Sequence, residues 1–394
     1  MTRRRAGSPA IAILTGMLAL TACTAQPDAS TPHPSAPSTI PTPTAEPAEA
    51  GPHARIPVDC DGLVATDALR TLVGEAGHPL APIVPIDRLD PDEAAALQLG
   101  AVDCRWTNGL GFSTWTGPEA GRQTVALSIL PEGLDAAIEY VDLYRSADPT
   151  YGAHVQGPRC MAATDASWTG FCELYGVIGR NWVEFTVQGI VFDARSDSDL
   201  VAAFRAVADP MVAALAATEP GPRWTPAEST SFAACEDLVP ATSVAEITGL
   251  AAVGFGESWD GPRVGQYFWA SRETGAKRCS VFFTDREGGF GEVGVLPGGS
   301  WGFDRAEAAW LADGGVIVPV AGVEPGDAVL RCADAAAECV LDVRTGGDWV
   351  RVEFPEVPPE TVEYLPPNDY AAARESIIRL AEAPVAGLGA SDGA

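Results

Sequence analysis

Hydrophobic positions along this chain change period several times, and the whole series occurs twice in the same order. After Cys60 the apolar residues of "TDALRTLVGEAG" recur at helical spacing. β-rich runs follow around Cys104 ("CRWT") and in "TVALSIL", then a helical run, "GLDAAIEYVDLYRSA", two more β-rich runs and a closing helix, "LVAAFRAVADPMVAALAA" at 200–217. From Cys235 onward "TSVAEITGLAA", "CSVFF", "GEVGVL", "DRAEAAWLADG" and "YAAARESIIRLAEA" (370–383) repeat that order. A Thr near the start of each first helix is suited to capping. Grouped helices and hairpin-linked strands predict an α+β chain: two tandem homologous domains, each a mostly antiparallel sheet with flanking helices.

The wording repeats along with the periods. "CDGLV" at 60–64 returns as "CEDLV" at 235–239, "SILPEG" (128–133) as "GVLPGG" (294–299), and "NWVEF" (181–185) as "DWVRVEF" (348–354). A unit of about 165 residues is a duplicated domain, because solenoid repeats are far shorter. The expected boundaries are a first domain at 54–218, a linker at 219–230 ("TEPGPRWTPAES" spans this region), a second domain at 231–385 and a flexible tail at 386–394.

Cysteines follow the duplication as well. Cys60, Cys104, Cys160 and Cys172 are matched by Cys235, Cys279, Cys332 and Cys339, and the first interval is identical in both sets. Even cysteine numbers in an exported chain read as disulfides, and four per domain admit three pairings. Candidate turns "TDAS" (164–167) and "DAAA" (334–337) favour joining Cys160 to Cys172 and Cys332 to Cys339, which leaves Cys60 for Cys104 and Cys235 for Cys279. Zinc or redox chemistry is a poor fit, since there is no C-x-x-C and no His in a ligand spacing.

The N-terminus supplies an address. "MTRRR", an apolar run from Ala10 to Leu20 and then Leu20-Thr21-Ala22-Cys23 form a secretory signal (1–22) that ends in a lipobox-like sequence, so Cys23 is the expected lipidation site. Residues 23–53 are rich in Pro, Ser, Thr and Ala, cannot build a core, and read as an extended tether. Acyl chains on Cys23 would hold the protein on the outer face of the cell membrane without a spanning helix. With 25 Lys and Arg against 53 Asp and Glu, the formal charge of -28 disfavours nucleic acid and anionic lipid surfaces as partners.

The Cys-x-x-Leu-Val start, the amphipathic helix after it and the "CRW" strand at Cys104 resemble an actinobacterial family of envelope lipoproteins carrying a domain of unknown function, here duplicated. The likeness covers mainly 60–106 and more weakly 235–281, where "CSV" replaces the aromatic pattern. It implies an envelope lipoprotein whose helix is tied by a disulfide to a sheet, and it supplies no catalytic residues.

Chemistry is sparse. "GGSWG" (298–302) satisfies G-x-S-x-G at Ser300, but the last His is His154, so the chain order of a serine hydrolase is wrong. The second domain has no His at all. The acidic runs "DRLDPDEAAAL" (87–97) and "DARSDSDL" (193–200) lack the Gly and final Glu of a calcium loop and read as solvated, helix-capping acids. Trp182 and Trp349 occupy equivalent positions and read as core. No cofactor and no metal are expected. The leading function is a noncatalytic binding or scaffold lipoprotein with an envelope protein, glycan or lipid as ligand. The alternative is an envelope enzyme acting on glycan or lipid through an Asp or Glu pair. Loops that differ between the copies are the places to look for recognition. The passage 253–271, "VGFGESWDGPRVGQYFWAS", is the best candidate, with Trp259, Tyr267, Phe268 and Trp269 as binding residues.

Overall fold

The computed structural model describes residues 51–391 apart from segments 75–76, 84–88, 111–120, 136, 139–150, 153, 164–168, 192–194, 227–233, 249–252, 258–264, 285–288, 333–338 and 355–369. The signal sequence, Cys23, most of the tether and Trp259 lie outside the described residues, as do most of the run expected to be helical at 133–147 and the candidate turns at 164–167 and 334–337. Residues 49–394 form one compact unit.

The first repeat comprises α1 (Cys60–Leu63), α2 (Thr66–Val73), β1 (Ala81–Ile83), α3 (Pro91–Gln98), β2 (Val102–Thr107), β3 (Thr124–Pro131), β4 (Val155–Met161), β5 (Gly170–Ile178), β6 (Asn181–Ile190) and α4 (Asp197–Ala216). The second comprises α5 (Cys235–Leu238), α6 (Ala241–Thr248), β7 (Val253–Glu257), α7 (Gln266–Thr274), β8 (Lys277–Phe283), β9 (Gly289–Leu296), α8 (Ser300–Ala312), β10 (Val316–Ile317), β11 (Ala328–Cys332), β12 (Cys339–Thr345), β13 (Asp348–Phe354) and α9 (Tyr370–Ser391). Their antiparallel sheets run β1-β2-β3-β6-β5-β4 and β7-β8-β9-β13-β12-β11-β10, the same order strand for strand, with β10 added at one edge. This is the expected α+β architecture of two homologous units, each with two disulfides.

Local chemistry sets most element ends. Ser196 and Asp199 form a capping box that starts α4, and Asp90 caps α3 by accepting the Glu93 amide at 2.7 Å, with Pro91 in the first turn. Thr66 does not cap α2. Ala65 holds that position without a side-chain bond, and the Thr66 hydroxyl instead accepts the indole N–H of buried Trp106 at 3.0 Å, so tertiary packing has claimed the side chain. Helix α9 runs to Ser391, past the expected end of the domain at 385, because Val385 and Leu388 are buried in the second core.

Alternation along the strands feeds two separate cores. In β6, Val183, Phe185 and Val187 enter the core of the first repeat with α2 and α4, whereas Trp182 points to the opposite face. In β13, Val350 and Val352 enter the core of the second repeat, whereas Trp349 points away from it. All four disulfides form: Cys60–Cys104 and Cys235–Cys279 tie each opening helix to a strand, and Cys160–Cys172 and Cys332–Cys339 join directly opposed strand residues at Cα separations of 4.1 Å. The linker does not hang free. Arg55 is 7% exposed, its Nε donates to Gly221 O at 2.7 Å, and the Gly221 amide donates back to Arg55 O at 2.7 Å.

Candidate functional site: a charged seam between the repeats

The outward faces of the two sheets meet in a third core. Leu130 and Trp182 of the first sheet lie in one buried cluster with Leu296, Trp349 and Val329 of the second, together with Ala94–Ala96 of α3, Ala270 of α7 and Trp301, Phe303 and Trp310 of α8. Each large apolar side chain enclosed in this way contributes ~2–3 kcal/mol. Helices α3 and α7 lie against one another between the sheets, and each begins on the sheet of the other repeat. Pro91, first in α3, sits against Gly294 of β9, where a Cβ would stand 3.2 Å from the Pro91 ring. Gln266, first in α7, is fully buried over Ser128 of β3: its Nε2 donates to Ser128 O (3.1 Å) and Trp182 O (2.9 Å), and its Oε1 accepts from Ser128 Oγ at 2.7 Å. The Gln98 side chain crosses the seam too, donating to Pro297 O and accepting the Trp301 indole N–H.

Around these helix starts, charged groups converge. Arg105 reaches Glu93 at 2.5 Å and Asp103 at 2.8 Å, while Arg278 bridges Asp92 (3.4 Å) and Glu292. Ser271 of α7 donates to Asp92 at 2.9 Å. Glu184 accepts the Gln266 backbone N–H at 3.1 Å, and Arg351 donates to Leu89 O at 2.6 Å and to fully buried Asp342 at 2.7 Å. Burial, reinforced by Asp90, pushes Glu93 up to about 8 and Asp92 up to about 6, against the pull of Arg105 and Arg278 respectively. Burial pushes Glu184 up to about 7 and raises Asp103. It also holds the Tyr267 phenol well above its ordinary range, with Asp103 adding to the effect. Burial works against the charge on Arg105, but Asp103 and Glu93 more than offset it.

Expectations about individual residues are met unevenly. Asp90 caps its helix, but Asp92 and Glu93 are not solvated; they are enclosed in the seam, because α3 is covered by the second repeat. Trp182 and Trp349 are buried, both in the shared core. Tyr267 and Trp269 pack against that core from α7, and Phe268 lies between them in sequence, partly buried. The passage read as a recognition loop is therefore, over 266–271, a helix facing the first repeat. Glu184, Arg278 and Arg351 escaped notice, although Glu184 and Arg351 each stand two residues after an equivalent Trp.

Ser300 does have a strand before it and a helix after it. Yet the Ser300 amide donates to Gly347 O at 2.9 Å and the Gly298 amide to Asp348 Oδ1 at 2.7 Å, so these two amides of the turn already have partners. The glycines of the motif have structural reasons: Gly298 has φ 67°, and a Cβ on Gly302 would lie 2.9 Å from the Trp349 ring. His53, His78 and His154 are exposed.

Two recesses stand out among the described residues, one of them at the seam. It is small and is lined by Asp90, Asp92, Arg278, Glu292, Arg351 and Glu353. A larger groove lies in the first repeat beside the end of α2, lined by Arg70, Thr71, His78, Leu80 and Gln123. Among the described residues no group of His, Cys, Asp and Glu has a metal-holding arrangement, and no helix is long and apolar enough to cross a membrane. Comparison of the chain with protein-family models, with curated proteins and with solved structures found no match.

Proposed function

We infer that this chain is a lipid-anchored extracytoplasmic lipoprotein whose two diverged repeats act together as a noncatalytic binding or scaffold body. The observation that carries the reading is the seam. The carboxylates that converge there are engaged by Arg105 and Arg278 or by a helix N-terminus, and two of these contacts, Asp92 with Arg278 and Glu184 with the Gln266 amide, join one repeat to the other. A single compact body on a Pro-rich tether suits the presentation of a binding surface at a distance from lipid. The anchor is Cys23, and the groove beside α2 is the roomiest place for a ligand among the recesses described. Cationic or neutral envelope ligands fit the overall acidity.

Hydrolysis of glycan or lipid through carboxylates is the second reading, favoured by one feature: Asp92 and Glu292 both border the seam recess. The recess is narrow and Arg278 lies between the two acids, which supports the structural role instead. Two experiments test the proposal. Cys23→Ala protein should leave the membrane fraction, and retention there refutes the anchor. Purified mature protein, screened against envelope glycans, lipids and proteins, should bind without turnover. Turnover that disappears in Asp92→Asn or Glu292→Gln protein establishes the enzyme reading instead.

A further inference from the structure

The register of the two sheets exposes a reversal of charge at equivalent places. In the first sheet Ser128 stands opposite Asp103 on one side and Glu184 on the other. In the second, the equivalent Gly294 stands opposite Arg278 and Arg351. One sheet thus carries a row acid–Ser–acid and the other a row Arg–Gly–Arg, at the spot where the helix of the other repeat begins. The helices are matched to these rows. Helix α3 opens with Asp90, Asp92 and Glu93 and lies on the arginine row, with Asp92 on Arg278 and Leu89 O on Arg351. Helix α7 has no acid in its first turn and lies on the acidic row, where its positive end and the Gln266 amide meet Glu184.

Like-with-like pairing reverses every one of these contacts. A first repeat laid on another first repeat brings Asp92 to the place of Asp103 and the Asp90 end of α3 to Glu184. A second repeat laid on another second repeat turns the N-terminus of α7 toward Arg351. The sheet part of the shared apolar core does not discriminate in this way, because Leu130 and Leu296, and Trp182 and Trp349, are the same residue types at equivalent positions. We propose that the charge-reversed rows Asp103–Ser128–Glu184 and Arg278–Gly294–Arg351 are the specificity determinants that pair unlike repeats and reject like ones, so that two molecules do not associate through like repeats. Burying charges costs stability relative to apolar contacts and is retained where it selects a partner.

The test uses the full mature chain with a protease site placed in the linker at 227–230 and cut after folding, so that only the seam joins the halves. Wild-type halves should remain associated one to one. Arg278→Asp, which sets like charges on Asp92 and Glu292, should weaken the association about tenfold or more. Asp92→Arg combined with Arg278→Asp should restore most of it. Homotypic pairs among wild-type halves, or Arg278→Asp halves that bind as tightly as wild type, overturn the proposal. Should a cut variant precipitate, the intact chain gives the same answer through the unfolding midpoints of the two single variants and the double variant. Coupling between positions 92 and 278 is expected, and strictly additive effects overturn the assignment.

Discussion

Replacing Glu184 with Gln should make the protein more stable at pH 8 and leave it nearly unchanged at pH 4.5. Glu184 is partly buried between the repeats, its one backbone partner is the Gln266 N–H at 3.1 Å, and burial lifts it from 4.5 to about 7. The folded state therefore keeps a proton that the unfolded chain has already lost across that interval. Stability from this group is full below about 4.5, declines as pH rises, and is gone above about 7. A displacement of this size corresponds to about 3 kcal/mol, and partial exposure reduces the expected effect to about 1–3 kcal/mol. Gln keeps the oxygen that accepts the Gln266 amide and carries no charge to desolvate. Urea unfolding of wild-type and Glu184→Gln protein at both pH values measures the difference. Glu93 and Asp92 add their own pH dependence in both proteins, so it cancels in the comparison. A gain below about 0.5 kcal/mol at pH 8, or a gain of equal size at pH 4.5, refutes the argument that desolvation of Glu184 dominates.

Arg55→Ala should cost about 2–4 kcal/mol, since it removes the bonds to Gly221 O and Glu132 and leaves the linker held by the Gly221 amide, Trp224 and exposed ion pairs; faster proteolysis within 219–230 is the accompanying sign. Gly100→Ala should cost more than about 3 kcal/mol, because Gly100 has φ 83° and a Cβ there would fall 2.2 Å from Arg55 Cγ; combining it with Arg55→Ala should recover part of that loss in thermal unfolding. Removing the Cys60–Cys104 bridge as a double Ala variant should cost about 3–4 kcal/mol by the loop-entropy relation, read as a lower denaturation midpoint that reducing agent no longer shifts to the same extent.

The sequence alone determined the duplication, the opening and closing helices and main strands of each repeat, and a favoured pairing of the eight cysteines, but not helices α3 and α7. Each depends on local period, on repeated wording or, for Cys160–Cys172 and Cys332–Cys339, on a spacing that brings the pair to a shared hairpin. Val183, Phe185 and Val187 alternate with polar positions plainly enough to reveal a buried face. The same alternation hid what the other face does, because Glu184 and Arg351 sit at polar positions that face solvent unless another repeat covers them. The passages around Pro91 and Gln266 were visibly unlike in sequence, one acidic and Ala-rich, the other Gly-rich and aromatic. They are nevertheless equivalent helices, and their unlikeness is what fits each to the opposite row of charges. Only the tertiary structure decides this, since a row across three strands joins residues far apart in the chain, and a carboxylate's burial depends on which surface covers it.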